Sequence, residues 1–436
     1  MIYGGDGLAR LPADEHGRGK AAFVPFVLAG EKLDGAIREQ KPGFARAHAE
    51  SIIEPSAHRV QPGCPHFTRC GGCHYQHASY EHQLEIKQEI LRETLRRTAK
   101  LELSADLQVH PSPPWNYRNR SRLQVQTSPP FKAGYFRMAS HELLPIEECP
   151  ISSPLINRGI AKLWQSGREG RVPKGVSEVE FFANADDSLM LIAVSTTADA
   201  KRAALREWAD EFATTMPEIA GVVVFRETSK GSSKAQEKLV STGADHLVYQ
   251  TQKFSYRVSA GSFFQTNRHL TDELVKIVTE GQSGEVAIDL YAGVGLFSTA
   301  LCDMRHIFSV ESSQTSSADL SYNLFSNGVA VQATTEQYLA GVKKTGRFGK
   351  GVVLPHNIHK PDLAVVDPPR VGLGERVARM LTTLGAPRVI YVSCDPVTLA
   401  RDLVILLAGG YRIEQMHLVD LFPQTYHIET VVHLAR

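Results

Sequence analysis

Beyond residue 260 the chain settles into a regular alternation. EVAIDLY, HIFSVES, DLAVVD, RVIYVSC and TVVHLA are short runs of strand-forming residues, separated by stretches with helical periodicity. Few architectures accept that rhythm. It predicts a doubly wound α/β sheet, in which ligands bind beyond the carboxyl ends of the strands. Those ends carry reactive groups: Asp289 lies near the end of the first run, Glu311 closes the second, Asp367 the third and Cys394 the fourth, while Glu429 stands just before the last.

The chain ahead of this region reads differently, and 436 residues are too many for one hydrophobic core. Residues 1–56 contain runs such as AAFVPFVLAGE cut by Gly and Pro, which predicts a small β-barrel. SYEHQLEIKQEILRETLRRTAKL predicts an amphipathic helix over 79–100, with Leu84, Ile90, Leu91 and Leu95 as its apolar stripe. From about 108 to 258, strands such as RLQVQT, LMLIAVST and GVVVFRE mix with one helix around KRAALREWADEFATTM, an α+β pattern. The expected units are therefore 1–56, 57–258 and 259–436. The opening lacks the basic and apolar regions of a secretory signal, and no apolar run reaches the roughly 18 residues of a membrane span. A cytoplasmic protein without a membrane partner is expected.

A net charge of +1 creates no global field for a polyanion, so any nucleic-acid surface must be a local patch. WNYRNRSRLQVQ offers one: Arg118, Arg120 and Arg122 alternate along a predicted strand and so share a face, with Trp115 and Tyr117 just before them. Guanidinium groups and stacking rings suit single-stranded RNA, although a solvated strand face has the same pattern. KKTGRFGKG (343–351) is a second basic stretch, read as a loop.

Six cysteines do not make a disulfide scaffold in a reducing compartment. Cys64, Cys70 and Cys73 form C-x5-C-x2-C in a Gly-rich loop, a strong ligand signature, and Cys149 in IEECPI is the candidate fourth thiolate. Four thiolates suit zinc or a [4Fe–4S] cluster, and the spacing does not choose. Cys302 reads as a helix packer.

At the strand ends, Gly293 and Gly295 in AIDLYAGVGLFS let a backbone pass close to a ligand before a predicted helix start, and Glu311 is placed to accept from a ribose. A nucleotide or S-adenosylmethionine fits this pair. VVDPPRVGL resembles the acid-Pro-Pro exit of exocyclic-amine methyltransferases, but Arg370 stands where they carry an aromatic residue. A thiolate beside adenosylmethionine suits chemistry on a pyrimidine carbon. Uracil C5 is a weak nucleophile until a thiolate adds to C6, and a base must later remove the C5 proton. Cys394 and Glu429 fit those two tasks, with His427 adjacent; a packed core thiol and a solvated carboxylate are the plainer alternatives.

Taken together, CPHFTRCGGCHYQH, YRNRSRLQV, GSFFQTN, DLYAGVGLFS, VDPPR, YVSCDPVTLARDL and FPQTYHIETVV resemble the RNA 5-methyluridine methyltransferase family, in its iron–sulfur 23S rRNA (uracil-C5) form. The resemblance spans nearly the whole chain. It implies an N-terminal OB-like TRAM barrel that binds RNA, a central α+β domain carrying a [4Fe–4S] cluster on Cys64, Cys70, Cys73 and Cys149, and a Rossmann-like methyltransferase domain on which helix 79–100 packs. It makes Cys394 the nucleophile, Glu429 the proton-abstracting base, and Gln265, Tyr291, Glu311 and Asp367 the adenosylmethionine contacts. It further implies a monomer acting on 23S rRNA, with tRNA as the alternative substrate. Cytosine-C5 RNA enzymes carry a cysteine in the acid-Pro motif, which DPPRVG lacks. A non-catalytic iron–sulfur RNA-binding protein is the rival from another class.

Overall fold

The structure, a computed structural model, describes residues 1–12, 19–103, 107–230, 233–349 and 360–436. Its largest sheet has eight strands, in spatial order Gly328–Gln332, Met304–Glu311, Gly284–Leu290, Leu363–Val366, Arg388–Ser393, Glu429–Ala435, Arg412–Val419 and Leu107–His110. Neighbours run parallel, except that Glu429–Ala435 is antiparallel to both of its partners. Successive residues of a strand face opposite sides, so Val286, Ile288 and Leu290 enter one core and Ala287 the other. Burial on both faces explains why these runs are almost continuously apolar. Chain order reverses between Gly284–Leu290 and Leu363–Val366, and this opens a crevice at their carboxyl ends.

All five expected strands of the alternating region are present, but three others were not anticipated. Two of them, Gly328–Gln332 and Arg412–Val419, lie within that region. The third, Leu107–His110, comes from the segment assigned to the central unit, yet it pairs in parallel with Met416–Val419 and covers an otherwise open edge. The helix Tyr80–Thr94 and the π-helical turn Leu95–Ala99 lean on the same sheet, burying Ile86, Ile90, Leu91 and Leu95 in its core. The hairpin His246–Gln250/Ser255–Ser259 packs into the opposite core. Leu107–His110 and this hairpin, both assigned to the 57–258 unit, thus join the layer of the eight-stranded sheet across the expected 258/259 boundary. Helix 79–100 also differs in detail: Leu84 is only half-buried, while Gln83 and Lys87 occupy buried positions.

A second, seven-stranded sheet with the helices Pro154–Arg168 and Arg202–Ala213 holds its own core. Ahead of it, Asp6–Arg10, Ala21–Pro25, Lys32–Gln40 and Phe44–Glu54 form a mixed four-stranded sheet over Ala22, Val24, Val27 and Ala45. Lys343 and Lys344 close the helix Thr335–Thr345 rather than lying in a loop, and residues 350 and 351 fall outside the described residues. No described helix is long and apolar enough to cross a membrane.

The polar residues of the long helix do a specific job. Lys87 Nζ, fully buried, binds Asp420 Oδ1 at 2.5 Å and donates to the Phe422 carbonyl at 2.9 Å. Tyr80 donates to Asp420 Oδ2, and Gln83 makes two bonds to Gln424, accepting from its N–H and donating to its side-chain oxygen. The carbonyl of Gln424 accepts from the N–H groups of His74 and Tyr75, and Tyr117 donates to the Pro423 carbonyl. Segment 420–427 is thus held from three sides, with Gln424 at φ +68°. Removing one partner of a buried ion pair strands a desolvated charge, which costs about 3–5 kcal/mol. Lys87→Met is expected to lose that amount in urea unfolding, and Lys87→Met/Asp420→Leu to recover most of it. A single variant as stable as the parent would contradict the pairing.

Candidate active site

The crevice collects the predicted residues by register. Ser393 pairs with Thr430, so Cys394 and Glu429 are the next residues out on adjacent strands, where paired backbones lie roughly 4.5–5.5 Å apart. Leu290 pairs with Val366, which sets Tyr291 beside Asp367, and the Asp367 N–H donates to the Leu290 carbonyl at 3.3 Å. Cys394 is half-buried, whereas Glu429 is only 4% exposed.

Asp395 and Pro396, directly after the cysteine, start a helix. The Asp395 carboxylate accepts from the N–H groups of Val397 and Thr398, both at 2.9 Å, and Pro396 fits the first turn of Pro396–Ala408. That cap turns the chain sharply at the strand end and leaves the thiol at the crevice. Across from it, Asp402 accepts from Leu373 N–H and Tyr391 O–H and fixes the loop after Pro369. Arg370 at the head of this loop lies against both ring nitrogens of His427.

Electrostatics set the resting state. Burial pushes the Cys394 thiol up to about 12, reinforced by Glu429, Asp367 and Asp395 and opposed by Arg370. The Glu429 carboxyl is raised well above its usual range by burial and then by Asp367; Asp367 is raised by burial and by Asp289. Burial also lifts Asp289 to about 7 and holds His427 down near 3. Several acids share a desolvated pocket in which they cannot all ionise, an arrangement typical of tuned proton-transfer sites.

Next to them lies the glycine loop. Tyr291 has φ +66°, Gly293 +57° and Gly295 +92°. A Cβ at Gly295 would stand 2.8 Å from Leu320 Cδ1, whereas one at Gly293 would meet nothing within 4 Å. Glu311 accepts from Gly293 N–H at 2.9 Å and from Ser313 N–H at 2.6 Å, so the acid also braces the loop. The expected helix start is absent: a three-residue 3₁₀ turn, Ser298–Ala300, follows instead, and Ser298 donates to Asp289 Oδ2. Asp289 Oδ1 is buried without a partner, a site residue that its strand-end position had signalled only weakly. Gln265 is buried in the adjoining 262–267 loop. Cys302 is exposed rather than packed in a helix, because the chain turns there.

Cys64, Cys70, Cys73 and Cys149 line one cavity of about 830 Å³, together with Arg118, Arg137 and Tyr426. Asn157 braces Cys149, accepting from its N–H and donating to its carbonyl. Burial, with a smaller contribution from Cys149, pushes the Cys73 thiol up to about 12 and Cys70 to about 11. Among the described residues, His58, His82 and Glu85 are the only trio of possible ligand atoms within 4.8 Å of one another. His58 and His82 themselves stack at 4.1 Å with planes 10° apart, so their lone pairs run parallel and do not converge on an ion.

The arginine row needs correction. Arg120 and Arg122 do share a face, but both reach Glu180, and Arg120 is buried, with its guanidinium over Phe182 and a bond to the Ser262 carbonyl. A buried counter-ion makes Arg120 a structural residue. Tyr117 is likewise fully buried. Arg118 faces the cysteine cavity, and Arg122 is exposed beside Glu178 and Glu180.

The model for tRNA (Uracil-5-)-methyltransferase matches residues 79–436. The chain belongs to the tRNA (uracil-5-)-methyltransferase family. Family relatives include an uncharacterized RNA methyltransferase of Aquifex aeolicus (strain VF5), 30% identical over 100% of this chain and 96% of that protein. One from Streptomyces coelicolor (strain ATCC BAA-471 / A3(2) / M145) is 32% identical over 100% and 91%. Among solved structures, Pyrococcus abyssi tRNA (uracil-54, C5)-methyltransferase, in complex with S-adenosyl-L-homocysteine, has the same fold. It superposes with TM-score 0.73 at 24% identity, covering 99% of this chain and 100% of that one.

A raised thiol stays protonated at neutral pH. Iodoacetamide modification of Cys394 should therefore climb about tenfold per pH unit from 7 to 10, where an ordinary thiol levels off near 8.5–9. Glu429→Gln removes the ionisable carboxyl that opposes thiolate formation and should move the profile to lower pH. A plateau below pH 9 in the parent protein would contradict the burial assigned to this thiol.

Proposed function

We propose that this family member methylates uracil C5 in structured RNA to give 5-methyluridine, with 23S rRNA as substrate and S-adenosylmethionine as donor. The observation that carries the reading is the adjacency of Cys394 and Glu429 at the ends of paired strands, with Asp367 close to both. S-adenosylmethionine, when bound, supplies the methyl group on a cationic sulfonium. The crevice fits it: several acids crowd there, Asp289 Oδ1 has no partner, and Gly293 faces open space. Gln265, Tyr291, Glu311 and Asp367 would hold it, with Gly293 and Gly295 allowing close backbone approach.

Cys394, once ionised with its proton lost to solvent, adds Sγ to uracil C6, and the displaced ring electron pair makes C5 nucleophilic; C5 would take the methyl group from S-adenosylmethionine, which would depart as S-adenosylhomocysteine. Glu429, as carboxylate, removes the C5 proton; the C6–S bond then breaks and restores the ring and the thiolate. A carboxyl with a raised affinity for protons retains the one it takes. The positive charge of Arg370 favours the ionised form of the thiol.

The four thiols line one cavity, as a metal centre requires, and the resemblance of this cysteine set to the iron–sulfur enzymes favours a [4Fe–4S] cluster over zinc. Such a cluster would fix the loop that carries His74 and Tyr75. A net methyl transfer moves no electrons, so a structural or RNA-orienting role suits it. The resemblance of this cysteine set to the iron–sulfur 23S enzymes favours ribosomal RNA; the archaeal neighbour's named substrate keeps tRNA as the alternative. The N-terminal four-stranded sheet, which among the described residues does not close into the expected barrel, is read as a TRAM-like RNA-binding unit.

Cys394→Ala should lose methyl transfer to RNA by more than about 10³-fold while still binding S-adenosylmethionine in calorimetry. Glu429→Gln should accumulate a covalent protein–RNA species that survives denaturation. Wild-type turnover by the first variant would overturn the reading. Nucleoside mapping of rRNA and tRNA from a deletion strain assigns the substrate.

A further inference from the structure

Tyr3 lies 392 residues from Asp395 in sequence, yet its hydroxyl donates to Asp395 Oδ2 at 3.0 Å. The other oxygen of that carboxylate is the one that caps Pro396–Ala408. The Tyr3 ring meets Tyr426 edge-on at 5.5 Å, and Tyr426 in turn touches His74 and His427. Tyr3 packs against the catalytic core through a tight turn, in which Gly5 N–H donates to the Ile2 carbonyl. A Cβ at Gly5 would stand 3.1 Å from His74 Cβ, so the N-terminal segment is pressed onto the cysteine loop as well.

We propose that Tyr3 is a positioning residue for the chemistry at Cys394, holding the Asp395 carboxylate against its helix and partly neutralising it beside the thiol. This rests on the reading of Cys394 as nucleophile. The groups facing the thiol are Glu429 from the last strand, Asp367 and Arg370 from the loop after Leu363–Val366, and Asp395 itself; Tyr3 faces Asp395, Tyr426 and Arg370. Of the acids around the thiol, Asp395 is the one that takes a hydrogen bond from the N-terminal segment. Without the hydroxyl, its charge would act on the thiolate with less compensation, and ionisation would become harder. The same contact makes the segment ahead of the N-terminal sheet part of the active-site wall.

Tyr3→Phe keeps the ring and removes only the hydroxyl. Alkylation of the full chain is followed peptide by peptide, with exposed Cys302 as the internal reference. The Cys394 profile should move up by about half a pH unit, roughly a threefold slower reaction at pH 8, with Cys302 unchanged. In an Asp395→Asn background, where the cap persists but the charge is gone, Tyr3→Phe should have no further effect. Superimposable profiles for Tyr3→Phe and the parent, or an equal shift in the Asn background, would overturn the proposal. Alkylation needs neither RNA nor methyl donor, so a failure here is distinct from activity persisting in Cys394→Ala.

Discussion

The buried pair of Lys87 and Asp420 is the constraint on which the crevice depends. Neither side chain touches solvent, and each finds further partners in Tyr80 and the Phe422 carbonyl. An ion pair taken out of water gives little net stability over an apolar substitute, but it strongly penalises any other arrangement of its partners. Here the penalised arrangement is displacement of segment 420–427, which leads directly into Glu429. The long helix, the cysteine loop and Tyr117 converge on that segment, so the late carboxylate is held by parts of the chain more than 300 residues away.

Rigid placement coexists with electrostatic quiet. Cys394, Glu429, Asp367 and Asp289 are all pushed toward their neutral forms by burial, and the carboxyls repel one another. A pocket of that kind is poised for a cation, since positive charge near Asp367 would lower the cost of ionising thiol and base together. The proposed donor is cationic. Chemistry that starts only when the donor and the base are both in place protects a nucleophilic thiol from side reactions.

What the sequence disclosed followed from periodicity and punctuation. Strand ends marked by Asp367, Cys394 and Glu429 were legible because both faces of the sheet are buried, leaving the ends as the natural place for polar groups. Cys64, Cys70 and Cys73 were legible from spacing, with Cys149 proposed as their fourth partner by exclusion, and the structure brings all four to one cavity. Gln83 and Lys87 were not, because polar residues within an amphipathic helix read as solvent-facing until a distant Asp420 and Gln424 are known. Arg120 was misread for the same reason: its counter-ion, Glu180, lies 60 residues on. Leu107–His110 is only four residues long, too short for a periodic signal, and its partner strand comes near the chain end. Tyr3 gave no signal at all, being an isolated aromatic residue beside glycines.

The central claim is a transient bond between the sulfur of Cys394 and a pyrimidine ring. RNA carrying 5-fluorouridine tests it directly, because fluorine at C5 cannot leave as a proton does and the adduct should persist after methyl transfer. Incubation with S-adenosylmethionine, nuclease and protease digestion and mass spectrometry should then yield the Cys394 peptide bearing a methylated fluorouridine nucleotide. An adduct on any other cysteine, or none while unsubstituted RNA is methylated normally, would contradict the account.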